Sequence, residues 1–195
     1  MFLCQAGDNN SEINIVPTRF TIKLMMSLLK LNYKSTLLSL ALFVSVASYS
    51  QSVLPNIPIA ASNGRAVLFT SIIDTNRVTV ISFWATWCVP CINELDALQE
   101  KVDEGKMKSF QLIAISTDES RTVQKVRPLV KSKGWTFDIY LDESNEIKRA
   151  FNAINIPYVI VISKGKIVYQ KTGYTPGDEE VLIEKINQLN VSENP

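Results

Sequence analysis

A continuous run of mainly apolar and β-branched residues, Val78 to Phe83, leads through Trp84-Ala85-Thr86-Trp87 into Cys88-Val89-Pro90-Cys91, and an amphipathic segment follows at once. Few folds accept that order. β-Branched residues without polar alternation predict a strand buried on both faces. Leu95, Leu98 and Val102, spaced at three and four, predict a helix over Pro90 to Glu104 that Gly105 ends. The cysteine pair therefore falls on a strand-to-helix turn, with Cys88 at or just before the first helical residue.

That position has chemical consequences. Unpaired N–H groups and the helix dipole stabilise an anion at a helix N-terminus, which lowers a thiol pKa and supplies thiolate. Cys91, three residues on, lies within reach on the same helical face, and Pro90 tolerates its missing N–H near a helix start. The reaction this predicts is thiol–disulfide exchange, in which Cys88 attacks a substrate disulfide and Cys91 resolves the mixed disulfide. Two plainer readings are weaker. A structural disulfide across a two-residue gap constrains the unfolded chain very little, and a zinc knuckle needs a second cysteine pair or histidines.

Composition sharpens the point. The 195 residues include three cysteines and no histidine, so His-based nucleophilic dyads and imidazole metal sites are excluded. No metal or other cofactor is expected, and a net charge of +1 offers no electrostatic basis for nucleic-acid binding. Proton transfer must fall to carboxylates, Lys, Tyr or thiols. Glu94 stands at i+3 from Cys91 and shares its helix face. A partly buried carboxylate there is suited to accept the proton that Cys91 loses; the plainer alternative is a solvated Glu favoured by the helix dipole. A thiol peroxidase is disfavoured, because peroxiredoxins place Pro and Thr seven and three residues before the reactive cysteine. Those positions hold Ile81 and Ala85 before Cys88, and Trp84 and Cys88 before Cys91.

Residues 1–50 read differently from the rest. Leu37 to Ala47 is an apolar stretch of eleven residues, too short for a transmembrane helix of about 20 but suited to a signal-peptide core. Lys30 and Lys34 precede it and Ala47-Ser48-Tyr49-Ser50 follows, which predicts cleavage near Ser50 and export to the periplasm. The upstream segment containing Cys4 suggests translation from Met25 or Met26. A short uncleaved membrane anchor, or a buried core helix, is the alternative. The domain proper is then 51–195, with 16 basic against 17 acidic residues and only Cys88 and Cys91 left.

Within it, Val53 to Ala61 is Pro-punctuated and extended, followed by a turn at Asn63-Gly64 and a strand Ala66 to Phe69, together an N-terminal hairpin. Strands are expected at Phe110 to Ser116, Phe137 to Leu141, Tyr158 to Ile162 and Lys166 to Gln170, the last two joined by Lys164-Gly165. Helices are expected at Arg121 to Lys133, kinked at Pro128, at Asn145 to Phe151, and at Asp178 to Leu189 with Val181, Leu182, Ile186 and Leu189 facing the core. Val191 to Pro195 reads as a frayed tail. The order implies an α/β fold with a mixed central sheet flanked by helices.

Val80 to Cys91 resembles the active-site strand and helix of thioredoxin-like proteins, most nearly the exported TlpA/ResA branch, which includes reductases of cytochrome c maturation. The resemblance spans Leu54 to Leu189 and extends to Ile156-Pro157, Lys164 to Val168 and Thr172-Gly173-Tyr174. It implies a thioredoxin-like fold with an N-terminal hairpin extension, with Cys88 as exposed nucleophile and Cys91 as resolving thiol. It implies that the Ile156–Pro157 bond is cis, whereas base rates alone favour trans, and that the backbone of Ile156 pairs with an extended substrate segment. It also implies a proton-transfer role for Glu94; thioredoxins proper use an Asp on the preceding strand, where this chain has Ser82. Asp96 departs from the branch, which commonly carries Pro there. Trp87, Val89 and Pro90 are expected to form the substrate-contacting surface around Cys88, and Trp84 to pack beneath the motif.

The function so implied is an exported thiol–disulfide oxidoreductase that reduces disulfides of periplasmic proteins, supplied with electrons by a membrane-embedded donor. The alternatives are a dedicated reductase for an apocytochrome or metallochaperone client, a disulfide oxidase or isomerase, and a non-catalytic binding module on the same fold.

Overall fold

The computed structural model describes residues 54–105 and 110–193. The expected leader, with Cys4, the Met25 or Met26 start and the cleavage point near Ser50, lies outside the described residues, as do Val53 and the last two residues of the tail. Seven strands form one sheet: β1 (Pro58–Ala61), β2 (Ala66–Leu68), β3 (Val78–Trp84), β4 (Phe110–Ser116), β5 (Asp138–Leu141), β6 (Tyr158–Ser163) and β7 (Lys166–Thr172). Among the described residues four α-helices accompany them: α1 (Val89–Asp103), α2 (Val126–Lys133), α3 (Glu146–Ala150) and α4 (Asp178–Glu193). The strand order is β2-β1-β5-β4-β3-β6-β7. β3, β4 and β5 run parallel, while β6, β7 and the β1–β2 hairpin pair antiparallel.

The central strands are buried on both faces, and their side chains divide with period two. Val78, Val80 and Trp84 of β3 join Leu112, Ala114, Val159 and Val161 on one face, where Leu95 and Leu98 of α1 and Leu182, Ile183 and Ile186 of α4 cover them. Ile81 and Phe83 point to the other face with Ile113, Ile115, Ile160 and Ile162, covered by Phe69, Ile147 and Phe151. Phe151 sits 5.3 Å from Phe69 and 6.0 Å from Phe83, centroid to centroid. Ser82 is the polar exception on the first face of β3, directed toward α1.

Local chemistry sets the ends of these elements. Lys164 and Gly165 both adopt positive φ, 50° and 72°, as a two-residue hairpin turn of type I′ requires. Gly134 closes α2 in the left-handed conformation at φ 69°. The buried Asp142 accepts hydrogen bonds from the N–H groups of Ile147 and Lys148 at 3.2 and 2.8 Å, anchoring the start of the short α3.

Four expectations are corrected. The helix from Arg121 is not one kinked element: a 3-10 turn, Val123–Lys125, precedes α2, and Pro128 falls in the first turn of α2, where its missing N–H costs little. Phe69 opens a 3-10 turn instead of ending β2. In α4 the buried stripe is Leu182, Ile183 and Ile186, whereas Val181 is 57% exposed, because at 100° per residue it lies well off the arc those three define. That helix also runs past Leu189 to Glu193.

Candidate redox site

The site is assembled where the parallel strand β3 ends. Cys88 is the N-cap of α1, and its Sγ accepts the backbone N–H of Cys91 at 3.3 Å. Its carbonyl accepts from Ile92 N–H at 3.1 Å, so the helix begins at once. Cys88 and Cys91 are joined in a disulfide with S–S 1.99 Å and Cα–Cα 5.3 Å. The two cysteines are not equivalent: Cys91 is wholly buried, while Cys88 retains 5% exposure. Trp87 and Val89, on either side of Cys88, are 64% and 65% exposed, and Pro90 is exposed as well. An apolar, solvent-facing rim thus flanks Cys88, the member of the pair with some exposure.

Ile156 and Pro157 approach from the neighbouring strand. Phe83 pairs with Tyr158 in the β3–β6 register, so the residues just before Tyr158 lie at the end of the sheet that carries the cysteines. The Ile156–Pro157 peptide is cis, Pro157 is buried and Ile156 is half-buried. Ile156 packs against the core cluster that contains Cys88 and Cys91. Tyr158 belongs to the opposite face and meets Phe83 at 6.1 Å, as expected of a core residue. Trp84 is fully buried and packs edge-on against Trp135 at 5.1 Å and 81°. Its indole N–H has no hydrogen-bond partner among the described residues.

Glu94, one helical turn beyond Cys91, is 5% exposed. Ser82 Oγ donates to its Oε2 at 2.6 Å. Burial dominates its electrostatics and pushes the carboxyl from 4.5 up to about 7; the Ser82 hydrogen bond and the Lys171 charge oppose that rise, and Asp178 adds to it. A carboxyl group that titrates near neutrality is suited to take a proton from a neighbouring thiol and to give it back. Ser82, which cannot serve as a carboxylate, serves as the hydrogen-bond donor that orients one.

Sequence reasoning missed Asp118. It is fully buried and accepts hydrogen bonds from Thr86 N–H at 2.8 Å, Thr86 Oγ1 at 2.7 Å and Ser116 Oγ at 2.9 Å. Thr86 lies two residues before Cys88, so Asp118 fastens the cysteine turn to the end of β4. No pattern in the sequence marks it: Thr86 and Asp118 each stand two residues beyond the Trp84↔Ser116 pair, and that register appears only once the strands are paired. Asp118→Ala should leave both Thr86 donors unpaired and lower stability in urea unfolding by about 2–4 kcal/mol, with Asp118→Asn intermediate. Equal stability of both variants would remove this anchoring role. Among the described residues no group of three or more His, Cys, Asp or Glu side chains is placed to hold a metal ion.

A parallel-cored mixed sheet with a cysteine pair capping the first long helix and a cis-proline on the adjacent strand defines a thioredoxin-like protein. Residues 52–171 match the AhpC/TSA family, and the chain belongs to that family. It is 38% identical to an uncharacterized thioredoxin-like protein from Porphyromonas gingivalis, whose solution structure superposes with a TM-score of 0.65 over 74% of this chain and 95% of that one. It is 30% identical over 105 residues to sporulation thiol-disulfide oxidoreductase A of Bacillus subtilis, covering 53% of this chain and 64% of the relative. It is 31% identical over 94 residues to thiol-disulfide oxidoreductase ResA of Bacillus thuringiensis, covering 48% and 53%. The matches thus span somewhat more than half the length of these curated relatives.

Proposed function

We propose that the protein is a thiol–disulfide oxidoreductase that reduces disulfides of exported proteins. The observation that carries this reading is the asymmetry of the two sulfurs: Cys88 reaches the surface within an apolar rim, while Cys91 is sealed on the side of the buried Glu94. The thiol–disulfide oxidoreductases among its relatives support the same reading.

In the reduced protein, the Cys88 thiolate at the head of α1 attacks one sulfur of a substrate disulfide. A mixed disulfide forms and the other substrate sulfur leaves as thiolate. Cys91 then passes its proton to Glu94 and attacks Cys88 Sγ, which closes the Cys88–Cys91 disulfide and releases the second substrate thiolate. Two electrons move from the cysteine pair to the substrate. Glu94 later loses its proton to water. Trp87, Val89 and Pro90 supply apolar contact to the substrate beside Cys88, and the backbone of Ile156 supplies hydrogen bonds to an extended segment.

The setting that fits is the periplasm, reached through the leader, with a membrane-embedded donor returning two electrons per cycle to the cysteine pair. The compositional break before Gln51 and the signal-like Leu37 to Ala47 stretch support it. A thiol-peroxidase reading gains nothing from either cysteine, since neither has the preceding Pro and Thr. The test is the equilibrium of the Cys88–Cys91 pair with glutathione redox buffers. A potential more reducing than glutathione is expected, and a strongly oxidising one would replace the reductase with an oxidase.

A further inference from the structure

Beneath α4 lies a pocket of about 10 Å³, room for about one water, and Glu94 forms part of its wall. Leu98, Val159 and Leu182 make it apolar. Tyr169 and Lys171 of β7 and Asp178 and Glu179 of α4 contribute its other side. Lys171 and Asp178 are joined in an ion pair, and Asp178 also accepts the backbone N–H of Thr175 at 2.7 Å. Their side chains are 34% and 25% exposed, so the pair links the wall of the pocket to the surface. Lys171 is held there by the sheet, because it is registered opposite Val159.

We infer that Lys171 and Asp178 are positioning residues for Glu94: two opposite charges, fixed on separate elements, that together wall the pocket its carboxyl shares. This rests on the proposed role of Glu94 in the exchange reaction. Other polar groups near Glu94 have partners of their own. Ser82 on β3 donates to it. Tyr174, in the β7–α4 connection, donates to Glu179 Oε2 at 3.0 Å, and burial with that bond pushes the phenol up to about 12, so it keeps its proton. Glu179 also accepts the N–H of Gly177 at 3.0 Å. Two turns further along α1, Lys101 pairs with Glu180 and Glu104. Of the groups lining the pocket with Glu94, Lys171 and Asp178 form a directly opposed charge pair.

Opposite charges give the idea a signature that general loosening does not. Loss of the lysine charge favours the protonated Glu94, whereas loss of the aspartate charge favours the ionised one. The experiment is a carboxyl-13C NMR titration of the full chain in its disulfide form, with the Glu94 signal assigned by its disappearance in Glu94→Gln. Lys171→Gln should raise the Glu94 midpoint and Asp178→Asn should lower it, each by about 0.5–1 pH unit. Lys171→Arg should restore the original midpoint. Midpoints that stay in place, or that move in the same direction in both variants, would overturn the assignment. The pH dependence of mixed-disulfide resolution, measured in the same variants, tests the underlying role separately. If it follows the NMR midpoints, Glu94 handles the proton; if the midpoints move as expected and the rates do not, the ion pair stands and the role of Glu94 in the exchange falls.

Discussion

Cys91→Ala should turn the protein into a trap. With Cys88 still at the helix head and no resolving thiol, the mixed disulfide has no internal exit, and client proteins should accumulate on Cys88 as adducts that dithiothreitol releases. Turnover with a model disulfide should fall to the uncatalysed rate, as it should in Cys88→Ala, which forms no adduct at all. The contrast between the two variants is the informative part. Cys91 is completely buried and Cys88 is the residue of the pair with some exposure, so adducts appearing on Cys91 in Cys88→Ala would reverse the assigned roles. Non-reducing electrophoresis followed by mass spectrometry of the adducts reads both outcomes and names the clients.

Glu94→Gln should make the protein more stable at neutral pH while making it a worse catalyst. The folded state holds the Glu94 proton up to about pH 7, whereas a free carboxyl releases it near 4.5. Below 4.5 both states are protonated and the group has no effect. Between 4.5 and 7 the folded state binds the extra proton, so stability falls as pH rises through that window. The full difference is about 3 kcal/mol. Urea unfolding of the oxidised protein should show this decline, and Glu94→Gln should lack that part of it, ending about 3 kcal/mol more stable than the parent above pH 7. The buried Asp142 carboxyl is also raised by desolvation, but it is common to both proteins and cancels in the difference. Resolution of a mixed disulfide should slow in the variant and lose its dependence on pH near neutrality. A parent and variant with parallel stability profiles would show that Glu94 is solvated in the native protein.

Features written in short-range pattern were readable from the sequence. β3 and β4 announce themselves as apolar runs, α1 by its spacing after a proline, and the β6–β7 turn by Lys164-Gly165, because each depends on neighbours within a few residues. Cys88, Cys91 and Glu94 share one helix, so their relative placement follows from helical geometry alone. Asp118, Lys171 and Asp178 were not readable in the same way. Each acts on the site from a different strand or helix, and its meaning depends on register and on which face α4 presents. Val181 shows the same limit on a small scale: an apolar residue next to a buried stripe, turned outward because the arc of burial is set by the sheet beneath. The cis geometry at Pro157 was implied by family resemblance against the general preference for trans, a case in which tertiary context overrides local chemistry.

The two ends of the sheet differ in how they would meet another chain. A strand edge offers a row of unpaired N–H and C=O groups on which a foreign strand can grow, the usual seed of aggregation. At one end the outermost strand, β2, has only three residues, Ala66–Leu68, too short to template much. At the other end β7 is seven residues long, but Val168 is an extra residue, since Val161 pairs with Tyr169 and Ile162 with Ile167. That bulge breaks the regular spacing and adds local twist, and lysines stand at positions 166 and 171 of the same strand. Under the proposed function, the apolar rim around Cys88 is the surface that meets extended clients. The short β2 and the bulged, lysine-bearing β7 leave a foreign strand little to grow on at either end of the sheet.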